Sequence, residues 1–198
     1  MPPIPPMCRS VWWAFALAGV IALVAAAAAA LQVASAPLIV GAWQLAAGTL
    51  LVIALVRAPV GIAQAMPFIG VAVGSVVLGA VGILLPSLDA RISLIAIGIW
   101  AVLAGAGFLA VARLAASQHV VDVSLLRIAW ATIATGVVVS TFPAFGLGNS
   151  PLVPAAALAI TGAVTVAASL RLRVMPDEAP VTLSNREARR RERADRRP

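Results

Sequence analysis

Residues Leu38 to Val56 read LIVGAWQLAAGTLLVIALV, a stretch without a single Asp, Glu, Lys, Arg or His. The hydrocarbon core of a bilayer is about 30 Å thick and takes roughly 20 apolar residues at a helical rise of about 1.5 Å each. The stretch has that length and composition. Pro37 precedes it, where the first turn of a helix tolerates a missing N–H, and Arg57 follows it. A membrane-spanning helix is the physical solution, because in lipid every backbone polar group must be satisfied within the segment.

Five more runs have the same character: Val11 to Leu31, Phe68 to Leu85, Ile92 to Ala112, Ile128 to Phe145 and Leu152 to Leu170, all free of ionisable side chains. Their breaks carry helix punctuation. Pro67 and Pro151 stand at expected first turns, and Asp89 is placed to cap the fourth helix. The whole chain is 62% hydrophobic and 11% charged, against about half and about a quarter in a soluble domain. The expected fold class is therefore all-α: a polytopic membrane protein with six transmembrane helices in residues 1–173, followed by a linker and tail in residues 174–198.

Orientation follows from the charges. The net charge of +7 is made by 14 arginines and no lysine against seven acids. With the N-terminus in the cytoplasm, Arg9, Arg57, Arg113, Arg127, Arg171 and Arg173 flank spans on the inner side, and only Arg91 lies outside. Both termini are then cytoplasmic. The first run also imitates a signal peptide, with Arg9 before it and Ala34-Ser35-Ala36 after it, but it is longer than a usual signal core and Pro37 would follow the cut. It is read as a span that is retained.

Laid over itself at an offset of 57 residues, the sequence brings Gly48 onto Gly105 and Gly162, Gly79 onto Gly136, and Pro86 onto Pro143. Gly41-Ala42-Trp43 falls on Gly98-Ile99-Trp100. Such a period predicts one supersecondary unit copied in tandem. Here the unit crosses the membrane twice, so three parallel hairpins are expected. Gly70 and Gly74 form a Gly-x-x-x-Gly pair, while Gly41 and Gly48, like Gly98 and Gly105, stand about two turns apart on one face. In lipid, close approach along small residues is a main attraction between helices. Gly41, Gly48, Gly70, Gly74, Gly79, Gly98, Gly105, Gly136 and Gly162 are accordingly candidate packing positions, with ligand contact as the alternative.

Catalysis or coupled transport within a membrane usually needs ionisable groups there, and the six runs have none. Gln44 is the strongest polar side chain at depth, a candidate for an inter-helix hydrogen bond or for a solute site. Thr49, Ser75, Thr132, Thr135, Ser140, Thr161, Thr165 and Ser169 are expected to bond the preceding turn of their own helices. Cys8 is the one cysteine, so no intramolecular disulfide is available, and His119 is the one histidine, in a connection beside Asp122. Phosphate-binding glycine loops, zinc motifs and nucleophile elbows do not occur, so neither an enzyme nor a cofactor is expected.

The tail from Ser184 holds seven arginines among three acids. Ser184 and Glu187 have capping-box spacing, and Glu187/Arg191 and Glu192/Arg196 are i,i+4 pairs. Arg189, Arg190, Arg191 and Arg193 are candidate contacts for anionic lipid headgroups, at about 1 kcal/mol each near a charged surface. No aromatic residue is interleaved with them for stacking on bases, so nucleic acid is not an expected partner.

The run Gly79-Ala80-Val81-Gly82-Ile83-Leu84-Leu85-Pro86 followed by Gly98-Ile99-Trp100-Ala101-Val102-Leu103-Ala104-Gly105 resembles the short-repeat membrane proteins of the HdeD type. The resemblance implies a six-helix protein of the bacterial inner membrane, linked with acid resistance and without defined catalytic residues. Three functions remain open at this point: an HdeD-like protein acting through helix packing or partner contacts, in a homo-oligomer or with another membrane protein; a small-solute transporter or channel; and an anchor or scaffold recruiting a partner through its tail.

Overall fold

A computed structural model describes residues 7–57, 62–117, 123–146, 150 and 152–174. They form six helices in up-and-down order: α1 (Met7–Ala30), α2 (Ala36–Arg57), α3 (Ile62–Leu84), α4 (Ala90–Ser117), α5 (Val123–Thr141) and α6 (Leu152–Val174), with a short 3-10 helix, Phe142–Phe145, after α5. No strand occurs among the described residues. Five of the helices, α1, α2, α4, α5 and α6, are long and apolar enough to cross a membrane, while the apolar part of α3 is the shorter Phe68–Leu84.

Helix ends follow local chemistry. Pro37 occupies the second position of α2, where its missing N–H leaves no intrahelical bond unmade. Asp89 caps α4 as expected: its Oδ1 accepts from the Arg91 N–H at 3.0 Å, and its carbonyl accepts from Ile92 at 2.9 Å. The Arg91 guanidinium also lies 3.7 Å from Asp89 Oδ2, but both side chains are about half exposed and the pair adds at most about 1 kcal/mol. Pro67 is a correction. The third helix begins at Ile62, so the proline lies inside it rather than at its first turn. Pro151 lies outside the described residues.

Consecutive helices run antiparallel, which gathers Arg57, Arg113, Arg127, Arg171 and Arg173 at one end of the bundle and leaves Asp89 and Arg91 at the other. Arg173 lies over the Trp12 ring, 5.1 Å from its centroid, so the end of α6 meets the beginning of α1. At the opposite end, Ser35 Oγ donates to the Pro86 carbonyl at 3.3 Å and ties the α1–α2 connection to the α3–α4 connection.

The even-numbered helices are the inner ones. α4 is the most buried and packs on α2, α3, α5 and α6, whereas α5 is the most exposed of the spans. Five aromatic side chains fill the interior, all with 1% or less of their surface exposed: Phe15, Phe68 and Phe108, and Trp43 and Trp100. The Phe15 ring centroid is 5.5 Å from Phe68 and 4.8 Å from Phe108, which joins α1, α3 and α4. Trp43 and Trp100 meet edge to face at 4.9 Å and join α2 to α4.

The outside is apolar as well. Val20, Val24, Val52, Ile53, Val73, Val77, Ile95, Ile99, Val137, Val138 and Ile160 are all exposed. So wide an apolar exterior would drive a soluble protein to aggregate, but it is what hydrocarbon requires. Length, composition and surface together mark a multi-pass helical membrane protein.

One helix terminus carries a measurable strain. α1 ends in a Schellman-type turn, with the Val33 N–H on the Ala28 carbonyl and the Gln32 N–H on that of Ala29. This turn puts Gln32 in the left-handed region at φ 54°, where glycine is favoured and other L residues are penalised by about 1 kcal/mol. Gln32 is exposed. Gln32→Gly is expected to raise the midpoint of thermal unfolding in detergent by a few degrees, the shift that about 0.5–1 kcal/mol produces. A lowered midpoint would show that the glutamine side chain stabilises the turn in another way.

Candidate functional site

The closest contacts between helices are made by backbone. An added Cβ at Gly41 would sit 2.9 Å from the Gly79 carbonyl oxygen, and one at Gly79 would sit 2.5 Å from the Leu45 nitrogen, so α2 and α3 touch along their main chains. At Gly48 the same atom would lie 2.9 Å from the Ala72 carbonyl oxygen. Between α4 and α5, a Cβ added at Gly98 would lie 2.6 Å from the Gly136 carbonyl oxygen, one at Gly136 2.6 Å from that of Gly98, and one at Gly105 2.9 Å from that of Ala129. Between α6 and α1, a Cβ added at Gly162 would lie 2.8 Å from the Gly19 carbonyl oxygen. The tightest pairs are thus α2–α3, α4–α5 and α6–α1.

Gly70 and Gly74 stand apart from this arrangement. Nothing lies within 4 Å of a Cβ at Gly70, and one at Gly74 would meet only Leu103 Cδ1, at 3.3 Å. Their Gly-x-x-x-Gly spacing therefore does not bring another helix backbone against α3. Two other glycines take part that the search for a repeat did not single out as packing positions: Gly19, against Gly162 and Val166, and Gly82, against Pro37 and Gly41.

Gln44 is fully buried. Its Nε2 donates to the Ala96 carbonyl of α4 at 2.9 Å, and its Oε1 has no hydrogen-bond partner. Most hydroxyls in the spans turn back on their own helices as expected. Thr49 donates to Leu45 at 2.8 Å, Ser75 to Val71 at 2.6 Å, Thr132 to Ile128 at 2.7 Å, Ser140 to Val137 at 2.9 Å, Thr165 to Thr161 at 2.7 Å and Ser169 to Val166 at 2.7 Å. Thr161 Oγ1 is an exception: like Ser93 Oγ and Trp100 Nε1, it is buried and unpartnered. By contrast, Trp43 Nε1 donates to the Ala18 carbonyl of α1 at 3.0 Å.

The Gln44 and Trp43 bonds thus tie α2 to α4 and to α1. The arginines Arg189, Arg190, Arg191 and Arg193, with the side chains of Cys8 and His119, lie outside the described residues. No cluster of three or more His, Cys, Asp or Glu side chains that could hold a metal is present among the described residues.

Two substitutions separate the backbone contacts from the open glycine. Gly98→Val is expected to force α4 from α5 and lower the unfolding midpoint by more than 5 °C, because its Cβ would collide with backbone that cannot rotate away. Gly70→Val should change it by less than 2 °C, since that position faces open space. Equal effects in a thermal scan would show that the contact geometry does not govern stability. Comparison with known protein families, with curated proteins and with solved structures finds no match to this chain.

Proposed function

We propose that the chain is an HdeD-like integral protein of the bacterial inner membrane, non-enzymatic and non-conducting, whose six helices make a rigid platform for contacts with lipid and with partner proteins. The observation that carries this reading is the destination of the intramembrane polar groups. A solute pathway needs them to converge on a water-accessible route, whereas here Gln44 is fully buried against the α4 backbone and six of the hydroxyls return to their own helices. The helix pairs are moreover held backbone to backbone.

The platform is made of three tandem, parallel two-helix repeats. Gly48, Gly105 and Gly162 are successively 57 residues apart, and their partners across the helix pairs include Val76, Ile133 and Gly19, which are spaced by 57 in the same way. The close contacts pair α2 with α3, α4 with α5 and α6 with α1, one helix out of step with the sequential hairpins α1–α2, α3–α4 and α5–α6. Both termini are cytoplasmic, a reading supported by the arginines gathered at one end of the bundle. Arg189, Arg190, Arg191 and Arg193, which follow α6 in sequence, are the proposed contacts for anionic headgroups.

Reconstituted into vesicles, the protein should give proton and glycerol fluxes no faster than those of protein-free vesicles. Flux several times the background that disappears in Gln44→Leu would replace the platform with a transporter. Orientation is checked separately with reporter fusions after Pro86 and after Val174, which should be periplasmic and cytoplasmic respectively. The reverse pattern would overturn the assigned topology.

A further inference from the structure

Arg91 and Arg113 stand 22 residues apart on α4, about 33 Å at a rise of about 1.5 Å each, and the run between them is uncharged. They mark the two faces of a hydrocarbon core about 30 Å thick. Arg127, near the start of α5, lies at neither face. A Cβ at Gly98 would be 2.6 Å from the Gly136 carbonyl oxygen and 2.9 Å from the Ser140 nitrogen, and one at Gly105 would be 2.9 Å from both the Ala129 carbonyl oxygen and the Ile133 nitrogen. These contacts fix the antiparallel register of α4 and α5. Carried one turn further, that register sets Arg127 level with Phe108 and Leu109, roughly one turn, or about 6 Å, deeper than Arg113.

This arginine faces outward. Arg127 and Trp130, one turn deeper still, are both exposed, on the span that the bundle covers least. Their i,i+3 spacing puts them on one face. A charged side chain below the bilayer interface is costly and calls for a counter-group. All seven acids of the chain lie outside the six apolar runs, so a second copy of these spans has no carboxylate to bring to that depth. The guanidinium offers a planar fork of donors that matches phosphate, the indole adds one N–H, and neither side chain accepts. Such a pair suits an anion that arrives with the lipid itself.

We infer that Arg127 and Trp130 form a binding site for one anionic phospholipid in the leaflet on the arginine-rich side. The guanidinium, on a stem long enough to rise toward the interface, meets the phosphate, which is drawn down to it. The acyl chains then run along the exposed indole and past Val137 on the same face of α5. Arg173, at the same end of the bundle, is instead engaged with the Trp12 ring. The site deepens the lipid contacts of the platform reading, on which it rests, and lies on the bundle and not on the tail.

The indole supplies the readout. In full-length protein reconstituted into vesicles, lipids with dibrominated acyl chains quench tryptophan fluorescence, and the difference between wild type and Trp130→Phe isolates Trp130. Brominated phosphatidylglycerol is expected to compete for that position about fivefold better than brominated phosphatidylcholine. Arg127→Gln should bring the preference below about twofold, while Arg113→Gln and removal of the residues after Val174 should each leave it above about threefold. Equal quenching by the two lipids overturns the site, as does a preference that survives Arg127→Gln or disappears with the tail. Quenching that Trp130→Phe does not alter would mean that another protein chain covers this face, and overturns it too. If Arg127→Gln does not fold, the comparison of the two lipids on the wild-type and tail-deleted proteins decides. Failure here leaves the flux measurement, which tests the platform reading, untouched.

Discussion

Backbone laid directly on backbone is the constraint from which the rest of this bundle follows. In hydrocarbon there is no hydrophobic gain from pressing one apolar helix on another, so attraction comes from packing and from hydrogen bonds that short separations allow. Glycines at Gly41, Gly48, Gly79, Gly98, Gly105, Gly136, Gly162 and Gly19 remove the side chains that would hold the helices apart. Three close pairs result. The remaining interior is then filled by a few large rings, with Phe15 bridging Phe68 and Phe108 and Trp43 set against Trp100.

Polar chemistry is subordinate to this packing. Hydroxyls in the spans, exposed like Thr49 or buried like Ser75 and Thr132, bond the preceding turn of their own helices. Gln44 and Trp43 instead reach across, to α4 and α1 respectively, and so add direction to contacts that van der Waals forces alone would leave free to slide. Among the described side chains the charges are kept to the two ends, five arginines on one and the Asp89–Arg91 pair on the other.

Much of this was legible in the order of residues, because in a membrane the local rule is severe: a span must be apolar, long and helical. The positions of α2 and α6 and the Asp89 cap follow from that rule directly. The start of α3 does not. Pro67 is a strong first-turn signal on propensity, yet the helix continues upstream of it to Ile62. Nor could spacing alone distinguish Gly70 and Gly74 from the glycines that touch another backbone, since the difference lies in what the fold places opposite them. Gly19 is hidden for a related reason. Its counterparts at the repeat offset are Val76 and Ile133, so overlaying the sequence on itself shows no conserved glycine at a position that nonetheless meets Gly162 at close range. Gln44 stands out in the sequence as a polar side chain at depth, but its partner, the Ala96 carbonyl of α4, does not, because it lies on another helix.

The pairing of α1 with α6 has a consequence in time. The ribosome delivers residues in order, so the first helix enters the bilayer while its tightest neighbour has yet to be made. From the synthesis of Gly19 until Gly162 has emerged, the small-residue groove on α1 lies against lipid or against whatever insertion factor shelters it. Closure of the bundle therefore waits for α6, and a ribosome stalled before it leaves α1 in the bilayer without its close partner.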